Sequence, residues 1–161
     1  MLHPNIICTN FLNDGWSRHL LQFPPIKRTI CINRKKYFVS FPWILFSMCN
    51  LKELHGYSNR GLQIFFADEK VTSWDSFVYK TPLPNCNIAN SVCLGKDIKA
   101  ETEAELIKAV LARFWNSRFD GEYIDFRRWL REKWTSDRLS MKHLINWFCD
   151  KFPPLELNNG L

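Results

Sequence analysis

Glycine and proline are scarce, 6 and 8 of 161 residues. That leaves little room for a flexible linker or low-complexity segment, and it excludes a collagen-like repeat. Long apolar runs are missing too. A membrane span needs roughly 18 consecutive apolar residues, and the most apolar stretch, residues 38–49, is interrupted by Ser40, Pro42 and Ser47. The opening Met1-Leu2-His3-Pro4 has no basic region leading into an apolar core. No secretory leader is expected there, and the protein is expected to be soluble and cytoplasmic.

The six cysteines (Cys8, Cys31, Cys49, Cys86, Cys93, Cys149) form no Cys-x-x-Cys pair, and no histidine lies close to two of them. Neither a disulfide framework nor a structural zinc site is expected, and no cofactor is implied. These thiols read as small apolar groups in a reducing compartment. Acidic residues are the minority charge, 16 against 22 Lys and Arg, for a net charge of +6. The densest basic stretch holds Arg127, Arg128, Arg131, Lys133, Arg138 and Lys142. It reads as a solvated helical face or as a docking surface for an acidic protein; nucleic-acid binding has no motif to support it.

What the chain has in plenty is aromatic: 13 Phe and 7 Trp within a 46% hydrophobic composition. A chain of this length buries on the order of 70% of its unfolded surface, so a single domain over residues 1–161 is expected. Residues 1–25 read as an irregular N-terminal segment in which Trp16, Leu20, Leu21 and Phe23 suggest a short helix. Residues 28–32 and 37–39 flank a polar turn and predict a hairpin. Further strands are predicted at 43–49, 62–66 and 77–79, with turns at Asn59-Arg60-Gly61 and Asp68-Glu69-Lys70. Residues 81–99 lose all periodicity, and a loop of that length in a compact domain usually has a function. Thr102-Glu103-Ala104-Glu105 is a capping box that opens a helix whose apolar stripe is Leu106, Ile107, Val110, Leu111 and Phe114. Two more helices are predicted within 121–152. The expected class is therefore α+β: an N-terminal helix, a four-stranded antiparallel meander, a long loop and C-terminal helices.

The long loop contains Pro84-Asn85, then seven residues, then Cys93-Leu94. This spacing resembles the active-site segment of ubiquitin-conjugating enzymes, and the expected element order resembles their fold. The bacterial branch is closer. Leu83-Pro84-Asn85, Val92-Cys93-Leu94-Gly95 and Phe114-Trp115-Asn116-Ser117-Arg118-Phe119 resemble the prokaryotic ubiquitin-conjugating-like family D, the PRTRC system protein B group. The resemblance covers roughly residues 60–120. It departs from the eukaryotic pattern in having Leu83 in place of His and Asn90 in place of Gly, and Phe119-Asp120 lacks a following Thr-His.

The resemblance implies a carrier that takes a ubiquitin-like modifier from an activating-enzyme homologue as a thioester on Cys93, on plasmids or other mobile elements. Asn85 would stabilise the oxyanion through its carboxamide or brace the loop. Lys96 and Lys99 would favour the thiolate by proximity, and Asp97 or Asp120 would help deprotonate an incoming lysine. The residues alone keep other readings open. Cys93 between Val92 and Leu94 is also the pattern of a buried strand cysteine, Asn85 can be a plain turn residue, and Cys86 is a second thiol on the loop that reads as filler. Phe114, Trp115 and Phe119 read as core. The alternative function is a catalytically inactive member of the fold, serving as a binding or structural protein in a viral, plasmid or other assembly.

Overall fold

A computed structural model of the chain describes residues 3–119, apart from 33, 74, 82, 84 and 87–90, together with 138–140. Its strands are β1 (Ile6–Phe11), β2 (Trp16–Phe23), β3 (Ile26–Ile32), β4 (Lys35–Phe41), β5 (Trp43–Glu53), β6 (Gly56–Ala67), β7 (Phe77–Lys80), β8 (Lys99–Ala100), β9 (Arg118–Phe119) and β10 (Arg138–Ser140). One α-helix, α1 (Glu103–Asn116), lies among the described residues. The larger sheet has the order β1-β2-β5-β6-β7-β10, with β8 paired to β6; the smaller sheet has the order β4-β3-β9. Only the β3–β9 pairing is parallel among these.

This corrects the α+β expectation. The segment expected to hold an N-terminal helix is strand β2, paired with β1 on one side and with β5 on the other. Six of its eight residues, Ser17 through Gln22, are buried without alternation, so both of its faces are covered. A strand covered on both sides shows no period of two, so a short mixed run of this kind is ambiguous with a helix. The four-stranded meander is also corrected. Each of the five segments predicted as strand is one, but β3 and β4 leave the main sheet as a hairpin of their own, and β2 pairs directly with β5. Pro24-Pro25 and Pro42 bracket that hairpin; lacking N–H donors, they end the ladder where the chain changes sheet. Of the C-terminal helices expected at 121–152, residues 138–140 are a strand on β7. The rest of that stretch lies outside the described residues.

The expected turn at Asn59-Arg60-Gly61 lies inside β6. Cys49 pairs with Gly61 and Asn50 with Asn59, so Arg60 has no counterpart and forms a β-bulge. Asn59 Nδ2 ties the bulge down by donating to the carbonyls of Cys49 and Gly61 and to Asn50 Oδ1. The chain instead reverses at Leu54-His55. There Gly56 adopts φ +108°, and a side chain on it would meet the Ala100 carbonyl at 2.3 Å, so β8 can lie against β6 only because this residue is glycine.

The core forms where α1 packs on the larger sheet. Thr102 Oγ1 accepts from the Glu105 amide while Glu105 Oε2 accepts from the Thr102 amide, as the capping box predicts. Leu106, Ile107, Val110, Leu111 and Phe114 are all buried against Ile44, Phe46, Met48, Leu62, Ile64 and Phe66. The intervening residues of β5 and β6, Leu45, Phe65 and Ala67, join a second cluster on the opposite face with Cys8, Leu20, Val71 and Val78. No helix among the described residues is long and apolar enough to cross a membrane.

A polar cluster is buried under the start of α1. Glu103 Oε1 accepts from His19 Nε2 at 2.8 Å and from Ser17 Oγ, and His19 Nδ1 meets Thr9 Oγ1 at 3.0 Å. Burial pushes the Glu103 carboxyl up, but the hydrogen bonds from His19 and Ser17 and the histidine's charge outweigh it and hold it below the usual 4.5. The folded state thus binds this proton less readily than the unfolded chain. Its stabilisation is complete above the unfolded value and is lost as pH falls through the folded one. Glu103→Ala is expected to cost about 3 kcal/mol, because it leaves buried donors unpaired. Glu103→Gln is expected to flatten the acid limb of stability, checked by denaturant unfolding at a series of pH values.

Candidate functional site

The loop after β7 is pinned to the core at alternate points. Thr81 Oγ1 donates to the Ile64 carbonyl at 2.9 Å, and Leu83 is fully buried. The Cys86 amide then closes a turn onto the Leu83 carbonyl at 2.9 Å. Cys86 pairs with Val92, Ser91 pairs with Gln63, and the Val92 amide donates to the Leu62 carbonyl at 2.8 Å. Beyond the loop, Ile98 is buried and its carbonyl accepts from the Asn59 amide at 3.0 Å.

Extended backbone alternates its side chains between two sides. With Val92 anchored in the core, Cys93 therefore faces out, and Cys93 is exposed while Cys8, Cys49 and Cys86 are buried and Cys31 is intermediate. The buried-strand reading of Cys93 is overturned. Gly95 (φ +79°), Lys96 and Asp97 follow it at the surface. Cys86, the second loop thiol, is filler as its surroundings dictate: burial pushes its pKa up to about 12, so it holds its proton at neutral pH and is a poor nucleophile.

Asn85 and Cys93 are brought together by the backbone. The Cys93 amide donates to the Asn85 carbonyl at 3.0 Å. The Asn85 carboxamide does not face solvent alone, since its Nδ2 donates to Ser117 Oγ at 3.4 Å and its Oδ1 lies 3.8 Å from Cys86 Sγ. Ser117 caps the end of α1 and donates to the Phe114 carbonyl at 2.7 Å. It is the residue the sequence reading passed over: it sits inside the quoted aromatic signature, but its role depends on a helix end meeting a loop 32 positions earlier. The aromatics of that signature are core, as expected. Phe114 and Phe119 are fully buried, and Phe114 packs edge-on against Phe46, Trp115 and Phe119 at centroid distances of 5.1, 4.9 and 5.5 Å.

The other expected participants are not assembled here. Lys99 Nζ is engaged by Glu53 Oε2 at 2.9 Å, so its charge is directed at the β5–β6 hairpin. The hydrogen bond from Lys99, with the charges of Lys99 and Arg60 beside it, holds the Glu53 carboxyl down at about 2. Lys96 and Asp97 are exposed beside Cys93. Asp120, Asn90, Cys149 and, apart from the backbone of Arg138, the basic stretch 127–142 lie outside the described residues.

An exposed thiol on a loop whose backbone is braced by Asn85 is the arrangement the motif resemblance pointed to. The family model of prokaryotic E2 family D matches residues 1–159. The chain belongs to prokaryotic E2 family D. The match runs well beyond the segment 60–120 that carries the recognisable motifs, and so takes in β1–β5 and the C-terminal stretch as well. Membership gives this E2-like protein a ubiquitin-conjugating-related character. No curated protein and no solved structure matches the chain.

Proposed function

We propose that this family D protein is an acyl carrier of the PRTRC system protein B kind, working in the cytoplasm with an activating-enzyme homologue and a ubiquitin-like modifier. The Cys93 thiolate attacks the thioester carbonyl that joins the modifier's C-terminus to the activating enzyme. A new C–S bond forms, the old one breaks, and the activating enzyme's thiolate leaves. An amine on the target then attacks the carbonyl, a C–N bond forms, and Cys93 departs as thiolate while the amine's proton passes to solvent or to a carboxylate.

The observation that supports this is the division of labour between two thiols on one loop. Cys86 is buried and keeps its proton, whereas Cys93 is exposed, with its amide held by Asn85. The Asn85 carboxamide is held by Ser117; released toward the reacting carbonyl, its Nδ2 would be the donor that stabilises developing negative charge.

The test is to incubate the full chain with its activating-enzyme homologue, ATP and modifier, and to follow the adduct on a non-reducing gel. The expected adduct disappears on adding thiol. With Cys93→Ser it is expected to become an oxygen ester that resists thiol and yields to hydroxide. An adduct that is unchanged by Cys93→Ser overturns the role of Cys93, and the absence of any adduct on the wild-type chain overturns the carrier reading in favour of a binding scaffold.

A further inference from the structure

From Gly15 to Lys52 the chain has no acidic residue and seven Lys and Arg, five of them in the β3–β4 hairpin and its turn. The smaller sheet sorts these charges by face. Ile30 is buried in the core, and Arg28, on the same side, lies over the Trp115 ring at 4.5 Å. The other side looks outward. Cross-strand partners share a face, so the register sets Arg118, Cys31 and Lys36 in one row and Thr29 with Phe38 in the next, with Lys27 on β3 in the third. All but Cys31 are exposed, and Phe38 is 74% exposed.

Among the described residues, β4 pairs only with β3 and so forms the edge of this sheet. Lysine on an edge strand ordinarily deters pairing. An aromatic left 74% exposed between cations does not serve that purpose, since it invites contact. The cationic surround selects what can approach. A second copy of this hairpin is disfavoured by like charge, and a nucleic acid can meet the cations but cannot satisfy a row of backbone N–H and C=O groups.

The geometry points to β4 as a docking edge for an extended acidic segment of a partner protein, which adds as a further strand. Its outward residues alternate acid, apolar, acid, with the apolar side chain over Phe38 and the acids facing Lys36 and the Lys27 side of the sheet. This goes beyond the carrier reading and does not depend on it.

Fluorescence anisotropy on the full chain tests it with a labelled peptide, Thr-Glu-Thr-Phe-Thr-Glu-Thr, which places both acids on the face of its Phe in either direction. The comparison peptide, Glu-Thr-Thr-Phe-Thr-Thr-Glu, has the same composition with the acids on the opposite face. The first is expected to bind at least about tenfold more tightly than the second. N-methylation of one alternate set of its amides is expected to lose about tenfold, while methylation of the other set is tolerated. Lys36→Glu and Phe38→Ser are each expected to weaken binding about tenfold, and Cys93→Ser to leave it unchanged. Equal binding of the two peptides, or indifference to N-methylation on wild-type protein, overturns the proposal. A single-stranded dT20 that binds more tightly than the matched peptide overturns it in favour of nucleic acid.

Discussion

Cys93→Ala is expected to abolish the adduct with the modifier, whereas Cys86→Ala is expected to charge like the wild type. The two cysteines sit seven positions apart on one loop, yet their surroundings are opposite: Cys86 is 1% exposed in the main core, and Cys93 is at the surface. Nucleophilicity requires thiolate and access, and only Cys93 has the access. Asn85→Ala is expected to leave charging largely intact but to slow discharge to a lysine by about 10²-fold, the usual cost of one oxyanion donor. Ser117→Ala removes the carboxamide's brace without touching the thiol, and a smaller loss of the same step is expected. Single-turnover discharge assays, with the charged carrier isolated first, separate these effects. Loss of charging and discharge together in Asn85→Ala would instead mean that the loop had collapsed.

Phe114→Ala is expected to be the most destabilising of the simple truncations, by about 3–5 kcal/mol. The ring is fully buried at the junction of α1 with both sheets. It packs against Phe46 of the larger sheet and against Phe119, the residue that pairs β9 with Ile32 of the smaller one. Emptying that position leaves a cavity that rigid aromatic neighbours cannot fill. At about 2–4 °C per kcal/mol for a chain of this size, melting is expected to drop by roughly 6–20 °C. Phe38→Ala, by contrast, removes a ring that is 74% exposed and is expected to change stability by less than about 0.5 kcal/mol. Thermal melts of the two variants side by side distinguish a structural aromatic from a docking one. The Phe114 variant also tests the site, since Ser117 reaches the Asn85 carboxamide only if the end of α1 keeps its place.

Local chemistry was legible without coordinates wherever one segment settles its own conformation. The capping box at Thr102-Glu105, the stripe Leu106–Phe114 and the β3–β4 hairpin are cases in which neighbours within four residues, or across one short turn, supply most of the hydrogen bonds. One backbone hydrogen bond across the loop joins Asn85 and Cys93, whereas the Asn85 carboxamide reaches Ser117 at the end of α1, a contact that no local pattern announces. Residues 16–23 were misread because burial on both faces erases the alternation that marks a strand. Asn59-Arg60-Gly61 was misread because turn-forming residues serve a bulge equally well.

Composition and spacing by themselves determined an aromatic core, a capped helix, a chain with no apolar stretch long enough to span a membrane, and a Pro-Asn loop leading to a cysteine. Tertiary structure alone decided which strand lies beside which, that the hairpin departs to a second sheet, that Ser117 meets Asn85, and that a basic face with Phe38 is left uncovered. The reason is that these relations join positions tens of residues apart. They are set by which surfaces exclude water together, and no local pattern of residues encodes that choice.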